Sequence, residues 1–103
     1  MSDYLIAPLA RNDLIALWNY YALEVGDLVL ADRMRDEIFA AISLLVKTPG
    51  MGHFRNDLAS EPVRFWRVRN HLIIYRTKNK PLEIVRVLHG AQDVKALIGS
   101  LSP

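Results

Sequence analysis

The chain contains no cysteine. Disulfides, thiolate nucleophiles and cysteine-ligated metals are excluded with it, and nothing calls for an oxidising compartment. No apolar run comes near the ~18 residues that a membrane span requires. The segment from Met1 to Pro8 has neither the basic residues nor the long apolar stretch of a signal peptide. The expected location is therefore the cytoplasm, with no membrane partner. Glycine is scarce, with five residues in the chain, and none forms a G-x-x-x-x-G-K-[ST] or G-x-G-x-x-G phosphate loop. The histidines, His53, His71 and His89, have no i, i+4 histidine partner of the kind a helix uses to hold zinc. Neither a metal nor a cofactor is expected. Ser43, Ser60, Ser100 and Ser102 lack the context of a nucleophile elbow.

What the sequence does have is a core's worth of apolar residues and an uneven charge. At 103 residues with 51% hydrophobic and 23% charged side chains, it reads as one folded domain spanning 1–103. Residues 1–54 hold four Arg or Lys against seven Asp or Glu; residues 55–86 hold eight against three. An acidic half and a basic half imply different faces. The basic one suits an anionic partner, either nucleic acid or an acidic peptide.

Periodicity divides the chain in the same place. Asp3 to Ala7 read as a short strand before Pro8. Leu14, Leu17, Trp18, Tyr21 and Val25 fall on one helical face, and Gly26 is a stop. Asp27 can cap a second helix with the stripe Ala31, Met34, Ile38, Ala41, Ile42 and Leu45, ended by Thr48-Pro49-Gly50. A loop follows, with a short edge strand near Phe54. Val63 to Val68, Leu72 to Arg76 and Glu83 to His89 read as a three-stranded meander. Arg69-Asn70 is its first turn, with Asn supplying the positive φ of a tight hairpin. Val94, Leu97, Ile98 and Leu101 have helical spacing. The fold class is α+β: an N-terminal strand and a helical hairpin packed on a mainly antiparallel sheet of about four strands, with a short C-terminal helix.

The arginines of this sheet are the candidate functional residues. Strand alternation puts Arg67 and Arg69 with Val63 and Phe65, and Arg64 with Trp66 and Val68. Val85 and Val87 are expected to face the helices, leaving Arg86 on the opposite side. One face can pack under the hairpin while the other displays arginines around Trp66 and Tyr75. Such a surface can grip RNA or receive a protein segment. Internal pairing of the arginines with Glu61, Glu83 and Asp93 is the structural alternative, but those carboxylates are too few for the eight cations. A nuclease would need a base, an acid and positive charge on the phosphorane. Arg67, Arg76 and Arg86 can supply the charge. His89, Tyr75, Glu61 or Glu83 can move protons.

Four segments carry a resemblance. They are Arg11-Asn12-Asp13-Leu14 with Trp18, Tyr20 and Tyr21; Pro49-Gly50-Met51-Gly52 with Arg55; Val68 through Arg76; and Ile84-Val85-Arg86-Val87-Leu88-His89-Gly90-Ala91-Gln92-Asp93. In this order they resemble the RelE/ParE superfamily of type II toxin–antitoxin toxins, and its ParE branch in particular. The resemblance implies a toxin neutralised by a small ParD-like antitoxin whose flexible tail wraps over it. Contact with operator DNA would come only through that antitoxin. RelE-like members cut mRNA on the ribosome with lysines, arginines and a C-terminal tyrosine; ParE-like members block DNA gyrase without that set.

This chain has Gly90-Ala91-Gln92-Asp93 where RelE-like toxins are basic, no lysine between 50 and 60, and no tyrosine in its last segment. The expected function is gyrase inhibition without catalysis. The alternatives are a ribosome-dependent nuclease using Arg67, Arg76, Arg86 and His89, or a degenerate module that only binds an antitoxin. The expected contacts with target or antitoxin are Arg64, Arg67, Arg76, Arg86, His89 and Asp93. Arg76→Ala and Arg86→Ala are expected to cost activity and leave the fold intact.

Overall fold

The computed structural model describes residues 3–55, 57–58, 62–78, 80–90, 94 and 97. Strand β1 (Tyr4–Ile6) leads into helix α1 (Pro8–Asn19), a π-helical turn (Tyr20–Glu24) and helix α2 (Leu28–Lys47). A 3-10 turn (Pro49–Met51) leads to β2 (His53–Phe54), β3 (Arg64–Val68), β4 (His71–Arg76) and β5 (Leu82–His89).

Local chemistry sets the helix limits. Pro8 opens α1 at a position where its missing N–H costs nothing. Gly26, at φ 78°, makes the left-handed turn between the helices. Asp27 then caps α2, its carboxylate accepting from Leu30 N at 2.9 Å. The α2 stripe falls where its spacing predicts: Ala31, Met34, Ile38, Ile42 and Leu45 are buried, and Ala41 packs beside them.

Helix one departs from its predicted face at its end. Leu14 and Leu17 pack on the core, but Val25 is exposed. The π turn is the reason. Val25 N–H bonds the Tyr20 carbonyl, five residues back, at 3.0 Å. This wide turn accommodates one residue more than an α turn and rotates the end of the helix out of the stripe.

The sheet has five strands in the order β1-β5-β4-β3-β2, one more than predicted. β1 does not pack on the sheet but joins it, parallel to β5, with Tyr4 opposite Leu82 and Ile6 opposite Ile84. The remaining pairs are antiparallel. The first hairpin turn lies at Arg69 and Asn70 as expected, but Arg69 takes the positive φ, 54°. The turn therefore has its left-handed residue at the first central position, not at the asparagine. Val94 and Leu97 are helical and pack against the sheet. The rest of the predicted C-terminal helix, with Ile98 and Leu101, lies outside the described residues.

Both sheet faces are covered. Ile73, Tyr75, Leu82, Ile84 and Val87 meet α1 and α2, while Val63, Phe65, Ile74, Val85 and Leu88 meet Leu58, Val94 and Leu97. A bulge reconciles the two sets. Tyr75 pairs with Ile84 and Ile74 with Arg86, so Val85 has no partner on β4. Ile84 and Val87 consequently share the helix face, and Val85 joins Leu88 on the other, against the expectation that it faces the helices. Tyr75 is also on the helix side, wholly buried. Its hydroxyl donates to Pro49 O and accepts from Gly52 N, both at 2.8 Å. A Cβ at Gly52 would collide with that hydroxyl, which explains the Pro-Gly-Met-Gly turn. Trp66 packs against the same helix-side core. Neither aromatic stands among displayed arginines.

Arg86 is buried, 8% exposed. Its Nε and Nη2 donate to the Asp13 carboxylate at 2.7 and 2.9 Å, and Nη1 reaches Leu97 O at 3.5 Å. Asp13 Oδ2 also accepts Val87 N at 3.0 Å. That N–H lies on the β5 edge beyond the reach of β1, which ends at Ile6. Truncating Arg86 would strand a largely enclosed carboxylate, 13% exposed. Arg86→Ala should therefore lower unfolding stability by about 3–5 kcal/mol, whereas Arg67→Ala, at an exposed position, should stay within about 0.5 kcal/mol. Urea titration of both variants checks this; equal midpoints would refute it.

Candidate functional site

The structure separates the arginines that the sequence grouped. Arg64 lies on the helix side, in ladder register with Tyr75. Its Nη1 donates to Gly52 O at 2.9 Å, and its guanidinium sits 4.2 Å from the centre of the Phe54 ring. Arg67, Arg76 and Arg86 pair in register with Leu72, Glu83 and Ile74, on the opposite face. Arg76 meets Glu83 at 3.1 Å. Arg69 makes a two-pronged contact with Glu37, at 2.6 and 2.9 Å, which raises the arginine pKa and lowers that of the glutamate. The bond to Asp13 likewise raises that of Arg86. Two of the acidic partners, Asp13 and Glu37, come from the acidic half of the chain. Counting charges by segment missed them because the pairing crosses between helices and sheet.

His89 lies on the helix side, opposite His71 in the ladder. It is thus across the sheet from Arg67 and Arg86, and six positions along β5 from the residue opposite Arg76, roughly 20 Å at strand rise. The predicted set Arg67, Arg76, Arg86 and His89 does not converge on one phosphate. Asp93 lies outside the described residues, as does Glu61. Among the described residues, no three His, Cys, Asp or Glu side chains gather as a metal site.

Two concave sites stand out among the described residues. The larger, a cleft of about 400 Å³, opens between the end of α1 and the end of β5, and is lined by Leu17, Tyr20, Tyr21, His71, Val87 and His89 among others. The rings form a chain: Tyr20 to Tyr21 at 5.2 Å, Tyr21 to His71 at 5.9 Å, and His71 to His89 at 5.6 Å between centres, each edge to face. Tyr21 Oη lies 3.2 Å from His71 Nε2. In the tautomer whose proton is on Nδ1, Nε2 accepts from the tyrosine hydroxyl. Burial raises the Tyr21 pKa, so its hydroxyl stays a donor. Sequence pattern alone assigns His71 no functional role; the adjacent tyrosines beside a predicted helix end were the available signal.

The smaller site, about 280 Å³, lies at the other face, where His53, Arg55 and Arg67 surround Leu72, Gly90 and Val94. Arg55 is held by Asp57 at 2.7 Å. His53 and Arg67 stand on adjacent strands, since His53 pairs with Phe65. This is what remains of the predicted basic surface.

His71 has a testable consequence for stability. Burial, then the neighbouring His89, lower its pKa from the ordinary 6.5. On acidification the unfolded chain takes up a proton before the folded one does. Stability is therefore fully present above about pH 6.5 and is lost as pH falls from there toward the lowered folded-state pKa. His71→Gln, which keeps an acceptor for Tyr21 but does not titrate, should show a smaller drop in Tm between pH 7.5 and 5.5. Identical drops in both proteins would refute this origin.

Residues 4–94 match the family model of the ParE toxin of type II toxin-antitoxin system, parDE. No curated protein sequence matches the chain. Among solved structures, one described as the chromosomal ParDE TA system from P. aeruginosa is similar in fold. It has a TM-score of 0.70 and 20% sequence identity, covering 84% of this chain and 92% of that one. The family match spans both the helical hairpin with its tyrosines and the sheet with the Asp13–Arg86 pair, and on it the chain belongs to the ParE toxin family of type II toxin–antitoxin systems.

Proposed function

We propose that this chain is the toxin of such a module, that it inhibits DNA gyrase by binding rather than by catalysis, and that a cognate ParD-like antitoxin neutralises it. The observation that favours binding over nuclease chemistry is the dispersal of the candidate catalytic set. Arg86, the natural phosphate clamp, is committed to Asp13 in a part-buried bidentate pair. Arg76 and His89 occupy opposite ends of the sheet, and His89 is on the other face from Arg67. General acid–base catalysis needs its groups within hydrogen-bond reach of one reacting centre. Binding a macromolecule has no such requirement. The compartment would be the cytoplasm, where gyrase and nascent antitoxin are found, and no helix of the described residues is long and apolar enough to cross a membrane.

The alternative of a ribosome-dependent nuclease draws its support from the smaller cleft, where His53, Arg55 and Arg67 converge. The purified chain should block supercoiling by gyrase and leave mRNA intact on translating ribosomes. Cleaved mRNA with normal supercoiling would reverse the assignment. A response in neither assay, with no harm to cells on expression, would leave only an antitoxin-binding module.

A further inference from the structure

Internal pairing uses the sheet's arginines unevenly. Arg55, Arg69, Arg76 and Arg86 each bond a carboxylate, and Arg64 bonds a backbone carbonyl. Arg67 has no hydrogen bond or ion pair among the described residues, and neither has His53. Both are exposed. His53 pairs with Phe65, so Arg67 is its diagonal neighbour on the same sheet face. Diagonal neighbours stand about 7–8 Å apart, a spacing from which an imidazole and a guanidinium can meet on one small anion. Both line the smaller cleft. Its floor is apolar, with Leu58, Leu72 and Val94 beside the buried Phe65. One end is closed where Gly90 N–H donates to Asn70 O at 2.7 Å, and Asn70 adds an exposed carboxamide there. None of the described lining residues is acidic. The charge of Arg55 is met by Asp57, so the unspent cation of this cleft is Arg67.

We propose that the smaller cleft binds a small phosphate monoester with a flat apolar body, of the size of one nucleoside monophosphate. Arg67 would hold the phosphate through paired N–H donors, and His53 would add a hydrogen bond. The apolar body would lie over Leu58, Leu72 and Val94, with its polar edge toward Asn70. Three observations select this class. An unpaired guanidinium selects an anion, and its planar fork fits phosphate oxygens. The apolar floor favours a ligand with a hydrophobic part over an inorganic ion. The volume, about 280 Å³, lies at the small end of ligand pockets, which run from about 300 to 1,000 Å³, and admits a single unit. A nucleic-acid strand needs a run of cations that tracks its backbone, and Arg64, Arg69, Arg76 and Arg86 are already engaged. The inference goes beyond the gyrase reading and does not depend on it.

The test titrates adenosine monophosphate, adenosine, inorganic phosphate and a single-stranded oligodeoxyadenylate into the full-length chain by calorimetry. Adenosine monophosphate should bind at least about tenfold more tightly than adenosine or phosphate alone. Arg67→Ala should weaken it by about tenfold or more, and His53→Ala by about threefold or more. Arg11→Ala removes an exposed cation from α1, on the other side of the sheet, and should change it by less than about twofold. Raising ionic strength should weaken binding. The assignment is overturned if adenosine monophosphate does not bind, if adenosine binds as well, or if Arg67→Ala binds like wild type. Equal damage from Arg11→Ala overturns it too, because the attraction would then be diffuse. An oligonucleotide that binds about tenfold more tightly per site than the mononucleotide would make the ligand a strand and overturn it as well. Neither gyrase nor a ribosome is in the assay, so the outcome is separate from that of the supercoiling and mRNA experiments. Should a variant fail to fold, amide chemical shifts of the wild-type chain decide instead. Residues 53, 67 and 70 must shift with adenosine monophosphate, and no shift there overturns the assignment.

Discussion

The structure turns on one carboxylate. Asp13 receives three hydrogen bonds: two from the Arg86 guanidinium and one from the Val87 amide. Its position in α1 ties a helix near the start of the chain to a strand near its end. β1 can cover the β5 edge only as far as Ile84, because Pro8 then starts the helix. The next outward amide, at Val87, would be left without a partner. Asp13 supplies one, and Arg86 balances the charge that this requires. A part-buried carboxylate, a buried guanidinium and an unpaired strand amide are each costly alone and acceptable together.

This constraint changes the meaning of the arginine in the Ile84 to Asp93 segment. A charged residue inside a run of Ile, Val and Leu suggests a functional group, because arginine is rarely buried unless paired. Here it is paired, with a residue 73 positions away. The same applies more mildly to Arg69 and Glu37, and to Arg76 and Glu83. The basic half of the sequence is therefore much less basic as a surface. Its remaining concentration lies around His53, Arg55 and Arg67, at one side of the sheet. The acidic half, by contrast, keeps an unmixed stretch at the hairpin tip, where the apolar side chains are also exposed.

The strongly periodic parts of the fold were legible. The α2 stripe, the Gly26 break, the Asp27 cap and the meander each follow from local chemistry that nothing else in the chain overrides. Three features were not. The parallel pairing of Tyr4–Ile6 with Leu82–Ile84 is a contact between the chain's two ends, and no local pattern encodes it. The bulge at Val85 shifts alternation by one residue, so a strict period of two assigned Val85 to the wrong face. The π turn at Tyr20–Glu24 does the same to the helical period, and Val25 consequently left the core. Of the site, the sequence marked Arg67 and His89 but placed them together. The Tyr21–His71–His89 chain went unread because it joins three elements, and its members look ordinary one at a time.

Arg86 and Asp13 form a structural unit, so that the function of this toxin lies in its surfaces and not in that arginine. A double-mutant cycle tests it directly, using urea unfolding of Asp13→Ala, Arg86→Ala and the combined variant. Strong coupling is expected, on the order of 2 kcal/mol or more, with the double variant little worse than either single one because neither charge is then left unpaired. Additive losses, or single variants as stable as wild type, would contradict it.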